Sequence, residues 1–342
     1  MKIIRLAIIG FGNVGQGFVQ ILKHQGERLS NQFGLDFKVV AVNDLRLGSL
    51  YQARGLPLDS LLSAATAGDL HRIPADIKGL TVEEMIAQVE ADALVEVSFT
   101  NLETGEPALS YIRQALARGL HVVTTNKGPI ALCLKELLDL AHRNNVVIGY
   151  EGTVMSGTPA LALGRHTLIG ADITRIKGIL NGTTNFILTR MQDGLSYPEA
   201  LAEAQRLGYA EADPTADVEG LDVAGKLMIL SQALWEVPLK LNEVERQGIT
   251  QLTLEEIRLA QSEGKCWKLI GTLEKHENQV KARVCPTKIP LTDPLANVNE
   301  SLNAITYTTS LLGDITLIGP GAGRLETGYA LLNDLLAIYV GT

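Results

Sequence analysis

The sequence predicts an α/β fold, a doubly wound parallel sheet followed by an α+β region. Three observations predict it. A short apolar strand runs into a glycine turn near the N-terminus, and strand-like and helix-like segments alternate from there to residue 150. Beyond residue 267 the pattern changes to alternating segments of the antiparallel kind.

Taken in order, residues 3–9 are β-rich and apolar and end at Gly10. In residues 14–29, Val14, Phe18, Ile21, Leu22 and Leu29 recur at near-helical spacing. Residues 37–42 read as a second buried strand, stopped by Asn43 and Asp44. Residues 48–79 carry a weak pattern, and no element is assigned there. A helix around 82–89 leads to a strand at 94–97. A helix over 107–118 ends at Gly119, a residue suited to that position. A strand at 121–125 and an amphipathic helix over 129–143, with Pro129 at its start, follow. Residues 146–150 form the last strand of the run. Such alternation requires parallel strands joined by crossover helices.

Past Glu151, residues 158–169 read as helix, 173–180 as strand and 181–185 as a polar turn, with helices at 197–207 and 220–236. Residues 270–273, 279–284, 305–310 and 315–318 alternate as strands do, and 329–340 is an apolar helix. The expected division is a first domain over 1–150 and a second over 151–318. The tail 319–342 is expected to pack back on the first.

A chain of 342 residues with 46% hydrophobic residues can bury a full core and suggests two domains. The net charge of −8 excludes a general attraction to nucleic acid or anionic lipid. The basic residues within 113–118 read as a solvated helix face. Cys133, Cys266 and Cys285 are odd in number and far apart, without metal-ligand spacing. Cys133 lies among Leu132, Leu134 and Leu137, as a packing residue would. The apolar start is too short for a signal peptide, and the most apolar later stretch is broken by Lys226, Gln232, Glu236 and Pro238. A cytoplasmic protein is expected.

Gly10-Phe11-Gly12-Asn13-Val14-Gly15 fits the G-x-G-x-x-G fingerprint, and it follows a strand and opens a helix. Gly10 permits the turn, Gly12 lets a pyrophosphate approach, and Gly15 lets helix and strand pack closely. The helix N-terminus adds amide donors and partial positive charge. The reading is a Rossmann domain that binds NAD or NADP. Asp44, at the end of the second strand, would hold the adenosine ribose of NAD, whereas Arg46 would meet the 2′-phosphate of NADP. Both choices stay open, as does a plain turn.

Two further features point to chemistry on an amino acid. Lys127, in Thr124-Thr125-Asn126-Lys127-Gly128-Pro129, follows a strand at the edge where open α/β sheets bind ligands. Between Gly208 and Lys226 lie Glu211, Asp213, Asp217, Glu219 and Asp222. Asp222 and Lys226 are four residues apart and share a helix face. A lysine held by an acid can protonate an alkoxide as hydride reaches a carbonyl carbon, and the neighbouring acids can bind an ammonium group. Each feature alone reads as a solvated loop lysine or an ordinary surface ion pair. His121 and His142, like the other four histidines, read as structural.

The run from Ala204 through Gly208, Tyr209, Ala210, Asp213-Pro214, Asp217-Val218, Gly220 and Asp222 to Lys226 resembles the signature of the homoserine dehydrogenase family. The resemblance extends to residues 10–15, 124–127, 151–159, 181–185 and 319–323, in the family's order and across nearly the whole chain. It implies interconversion of L-aspartate 4-semialdehyde and L-homoserine. Lys226 would then be the proton donor, with Lys127 near the nicotinamide. Glu211 and Asp222 would bind substrate, and Asp217 would support the site. Gly208 and Gly323 would lie against the cofactor, and Ser98 near the nicotinamide ribose. Glu151, Val154, Ser156 and Thr158 would match a monovalent cation loop, taken by sodium through backbone oxygens. A homodimer formed through the second domain's sheet is implied as well. Ending at Thr342, the chain has room for neither a fused kinase nor a regulatory module, so that form of feedback control by threonine is expected to be missing.

The chain departs from the family pattern in two places. Leu325-Glu326-Thr327-Gly328-Tyr329 replaces a Pro-Thr-Ala-Ser-like stretch and puts an acid near the expected cofactor site. No arginine directly follows Asp44, as it does in some NADP-using members. The rival functions are a dehydrogenase of another amino-acid carbonyl, which would not need the full run from Gly208 to Lys226, and a non-catalytic NAD(P) sensor, which would not keep both lysines.

Overall fold

The computed structural model describes residues 1–277 and 279–341. The chain forms two compact units, Met1–Gly157 with Gly323–Thr342, and Thr158–Ala322.

The first unit is built on a seven-stranded sheet. Its strands are β1 (Lys2–Ile9), β2 (Leu35–Asp44), β3 (Gly48–Tyr51), β4 (Ile77–Lys78), β5 (Ala93–Glu96), β6 (His121–Thr124) and β7 (Ile148–Gly149), in the order β4-β3-β2-β1-β5-β6-β7. Strands β2, β1, β5, β6 and β7 are parallel, whereas β3 and β4 add on as antiparallel strands. The weakly patterned residues 48–79 supply those two strands and the helix Leu58–Thr66 between them. In the register Ile9 pairs with Glu96, and Glu96 with Thr124. The carboxyl ends of the three central strands therefore lie side by side, and the loops that carry Gly10, Ser98 and Lys127 leave from one edge.

Helix Asn13–Phe33 buries Phe18, Val19, Leu22 and Leu29 and ends at Gly34, which takes the left-handed φ of 66° that favours glycine. Helix Arg324–Leu336 packs on it, with Leu331 and Leu335 in the same core as Leu6, Ile8 and Phe18. The crossing is tight: a Cβ on Gly328 would stand 2.6 Å from the Phe18 backbone nitrogen. Gly17, on the facing helix, has the Arg324 carbonyl in the same position.

The second unit holds a six-stranded sheet. Its strands are β8 (Ile173–Ile179), β9 (Val244–Arg246), β10 (Lys265–His276), β11 (Gln279–Pro290), β12 (Leu302–Thr309) and β13 (Gly313–Pro320), in the order β13-β12-β8-β10-β11-β9. Pairing is antiparallel except between β11 and β9. Helix Leu221–Trp235 covers one face, and a Cβ on Gly271 of β10 would meet its Val223 side chain at 2.8 Å. The helix is mostly buried, which explains its apolar sequence without any membrane. No helix among the described residues is long and apolar enough to cross one.

Two local readings change and one is refined. Residues 181–185 are not a polar turn. Asn181 caps a helix, Gly182–Gln192, by accepting from the Thr184 amide at 2.8 Å, and the polar residues after it are buried or half-buried. Residues 158–169 are helical over 160–167, where the α-helix Ala160–Ala162 widens into the π-helix Leu163–Thr167. The helix Leu254–Ser262, opened by a capping box of Thr253 and Glu256, was not foreseen.

Candidate functional site

In the glycine loop, Gly10 has φ 88°, and a Cβ there would lie 2.5 Å from the Val97 carbonyl oxygen. A Cβ on Gly15 would lie 2.5 Å from the Gly10 oxygen. Gly12 differs, because nothing stands within 4 Å of where its Cβ would be. It caps helix Asn13–Phe33, whose first residues are Asn13 and Val14. Among the described residues no side chain caps this end, and its first turn has no acid. The first amides and the positive end of the helix therefore remain available to a pyrophosphate, and the cradle fits a dinucleotide.

Asp44 does more than the fingerprint suggests. Its Oδ2 accepts from the Phe11 amide at 2.7 Å, and its Oδ1 from the amides of Arg46 and Leu47 at 2.9 and 3.0 Å. It ties the glycine loop to the turn between β2 and β3, and Arg46 on that turn is exposed.

At the same edge, Ser98 is half-buried and donates its amide and hydroxyl to one oxygen of Glu96, at 2.9 and 2.5 Å. The other oxygen of Glu96 accepts from the Thr124 hydroxyl at 3.1 Å. Burial pushes the Glu96 carboxyl up, against the hydrogen bonds from Ser98, Thr124 and Asn126. Asn126 caps helix Lys127–Arg143 through the Gly128 amide and donates to the Phe99 carbonyl at 3.0 Å. Lys127 is half-buried in the first position of that helix.

The second unit brings together four groups that lie up to 45 residues apart in the chain. Lys226 is buried, with its Nζ 2.8 Å from Asp222 and donating to the Leu180 carbonyl at 2.5 Å. The side-chain amide of Asn181 donates to Asp217 at 2.7 Å and to Asp222 at 3.0 Å. Burial raises the Asp217 carboxyl, and the neighbouring Asp222 charge adds to this. Hydrogen bonds from Asn181 and Thr183 and the charge of Lys226 work in the opposite sense. Asp222 thus holds the lysine, and Asp217 stands beside it on the same amide. Glu211 is exposed, on the loop before the short helix Thr215–Val218. The sequence reading assigned no role to Asn181 or Glu96. The only signal for Asn181 was its place in the block 181–185 that the family resemblance covers, and nothing marked Glu96.

Gly208 follows helix Tyr197–Arg206 with φ 79° and open space beside it. Gly323, at φ 139°, caps helix Arg324–Leu336, and the Glu326 carboxylate folds onto it. Glu151 and Val154 are buried, and the Glu151 amide donates to Asp334 at 3.1 Å. Ser156 turns the chain at φ 54° and shares a hydrogen bond with Thr327 at 2.8 Å. In the second unit, Thr158 donates to the Pro320 carbonyl at 2.9 Å. Among the described residues, no group of three or more His, Cys, Asp or Glu is placed to hold a metal ion.

Two family models match the chain, and together they cover most of it. A family model described as homoserine dehydrogenase matches residues 159–336, and one described as homoserine dehydrogenase, NAD binding domain, matches residues 10–151. An NAD(+)-dependent homoserine dehydrogenase of Pseudomonas canavaninivorans is 45% identical over 337 residues, covering 98% of this chain and 96% of its own. The homoserine dehydrogenase of Methanocaldococcus jannaschii is 38% identical over 339 residues, covering 98% and 99%. A solved structure of a hyperthermophilic archaeal homoserine dehydrogenase mutant in complex with NADPH superposes with a TM-score of 0.85 at 30% identity. The match covers 100% of this chain and 99% of that one.

Proposed function

The chain belongs to the homoserine dehydrogenase family, NAD(P)-dependent oxidoreductases that interconvert L-aspartate 4-semialdehyde and L-homoserine, and on that premise we propose which of its residues do the work. The observation that carries the proposal is the buried cluster of Lys226, Asp222, Asn181 and Asp217. Bound NAD or NADP supplies or accepts the hydride at its nicotinamide ring. Lys226 gives a proton to the semialdehyde oxygen in reduction and takes it back from the homoserine hydroxyl in oxidation. Asp222 and the Leu180 carbonyl hold the lysine at a fixed position, so little reorganisation is needed as charge develops. Asp217, Asp222 and Glu211 bind the amino-acid end of the substrate. Lys127 steadies the reacting group near the nicotinamide.

For the cofactor, the roles go to Gly10, Gly12, Asn13, Val14 and Gly15 at the pyrophosphate, Asp44 or Arg46 at the adenosine ribose, and Ser98, Gly208 and Gly323 along its length. Glu151, Val154, Ser156 and Thr158 form the loop for a sodium ion, which stays outside the chemistry. The second sheet's other face, with Arg175, Lys177, Thr272, Glu274 and Arg283 exposed or half-exposed, serves a homodimer. Sedimentation of the pure protein tests that assembly. The enzyme works in the cytoplasm, in threonine, methionine and isoleucine synthesis.

The deciding assay is reduction of NAD and, separately, NADP by L-homoserine with sodium present, followed spectrophotometrically. Activity with either supports the reading, and the ratio of the two shows whether Asp44 or Arg46 governs the ribose site. Folded protein that is silent with both sinks the assignment. In the Lys226→Ala variant turnover falls about a hundredfold or more, as for loss of a general acid, while cofactor binding and circular dichroism are retained. Near-normal turnover in that variant removes Lys226 from its role.

A further inference from the structure

Glu96 is fully buried at the carboxyl end of β5, between the ends of β1 and β6. A carboxyl in such a place is costly unless its oxygens are well met. The groups that meet them come from two loops. From the loop after β5, Ser98 donates an amide and a hydroxyl. From the end of β6, Thr124 donates a hydroxyl, whose oxygen in turn accepts from the Asn126 amide at 3.0 Å. Asn126 then reaches back to the Phe99 carbonyl at 3.0 Å and caps the helix that begins at Lys127. The two loops are joined twice, once through Glu96 and once through Asn126. Packing alone does not require donors from two loops to converge on one buried side chain.

We infer that Glu96 is a positioning residue, which fixes the Ser98 loop and the Lys127 loop in one mutual geometry for the nicotinamide end of the cofactor. This rests on the reading of Ser98 and Lys127 given above. Glu96 itself need touch neither cofactor nor substrate. Its effect arises because hydride transfer tolerates little misplacement, so a small relative shift of two supporting loops is costly.

The test is Glu96→Gln, which keeps shape and one acceptor oxygen but cannot accept at both ends. NAD(P)H binding is measured by calorimetry, and turnover and KM for L-homoserine by the assay above. The expected result is cofactor binding weakened, and turnover lowered, by about tenfold or more, with the KM for homoserine within about twofold of the parent, since the substrate carboxylates are untouched. A lowered melting temperature with cofactor binding and turnover unchanged overturns the proposal and leaves Glu96 a core residue. Should the wild-type protein fail to oxidise homoserine, the functional reading falls, yet the calorimetric comparison still decides on Glu96. If Glu96→Gln does not fold, Ser98→Ala, Thr124→Val and their double variant carry the test. Losses in cofactor binding that fall short of multiplying show coupling through Glu96, and losses that multiply overturn it.

Discussion

One side-chain amide, that of Asn181, meets both acids of the candidate site, while its oxygen accepts from the Thr184 amide and hydroxyl and starts a helix. Two carboxylates this close repel unless a donor stands between them, and a neutral donor does so without displacing Lys226 from Asp222. His121 shows the same scale of argument with a pH consequence. Its Nδ1 accepts from the Val147 amide at 3.1 Å, so the native ring is neutral at that nitrogen. Burial lowers its pKa below 6.5, the nearby Lys2 charge adds to this, and Asp92 opposes it. The unfolded chain then holds the extra proton between the lowered native value and 6.5. Stability from this site is therefore complete above pH 6.5 and is lost as pH falls through that window. In His121→Gln, denaturant midpoints between pH 6.5 and 5 should decline less than in the parent, and parallel declines would rule the histidine out.

At the scale of single elements, β10 carries Lys268 into the interior, where its Nζ donates to Asn185 at 3.1 Å, the Val298 carbonyl at 2.6 Å and Asn299 at 3.0 Å. This ties the strand to helix Gly182–Gln192 and to the residues before β12. Burial lowers its pKa to about 8. Between pH 8 and 10.5 the unfolded chain binds the more protons, so this lysine's contribution to stability rises with pH across that window. Thermal unfolding of Lys268→Met should show a deficit relative to the parent that widens from pH 8 to 10, and a constant deficit would contradict the buried-amine account. Sequence pattern reveals such elements unevenly. Strands β1, β2, β5 and β6 were legible because their inner stretches, residues 6–9, 39–42, 93–95 and 122–123, are buried and apolar. Residues 48–79 were not, because β3 and β4 are only four and two residues long and carry little apolar signal. Residues 181–185 misled because a polar block reads as a turn until the cap and the buried partners of Asn185 are seen. The glycine loop was legible through its spacing and its place between strand and helix, whereas Asp222 and Lys226 stood out only through the resemblance of the whole run from Ala204 to Lys226. Glu96 and Asn181 were not, since the burial of a polar side chain depends on strands distant in sequence.

For the molecule as a whole, the notable feature is that the first unit is discontinuous in sequence and the second is not. The last helix supplies Leu331, Leu332 and Leu335 to the first unit's core. Burial of three leucines contributes roughly 5–9 kcal/mol, comparable with the entire stability of a typical domain. A chain ending at Ala322 should lose NAD(P)H binding and the cooperative melting of the first unit, while residues 158–322 keep their own transition. Calorimetry with cofactor titration checks both, and retained binding would mean the helix is dispensable.

The packing of Gly17 against the Arg324 carbonyl also has a consequence in time. A ribosome makes the nucleotide-binding sheet first and the helix that closes it last. At ordinary elongation rates the intervening residues take on the order of ten to thirty seconds to appear. Throughout that interval Phe18, Val19 and Leu22 wait without their final cover, whereas the second unit has every residue it needs before helix Arg324–Leu336 is made. Of the two units, the one begun first is therefore completed second, and a nascent chain should depend on chaperones most until residues 324–336 have emerged.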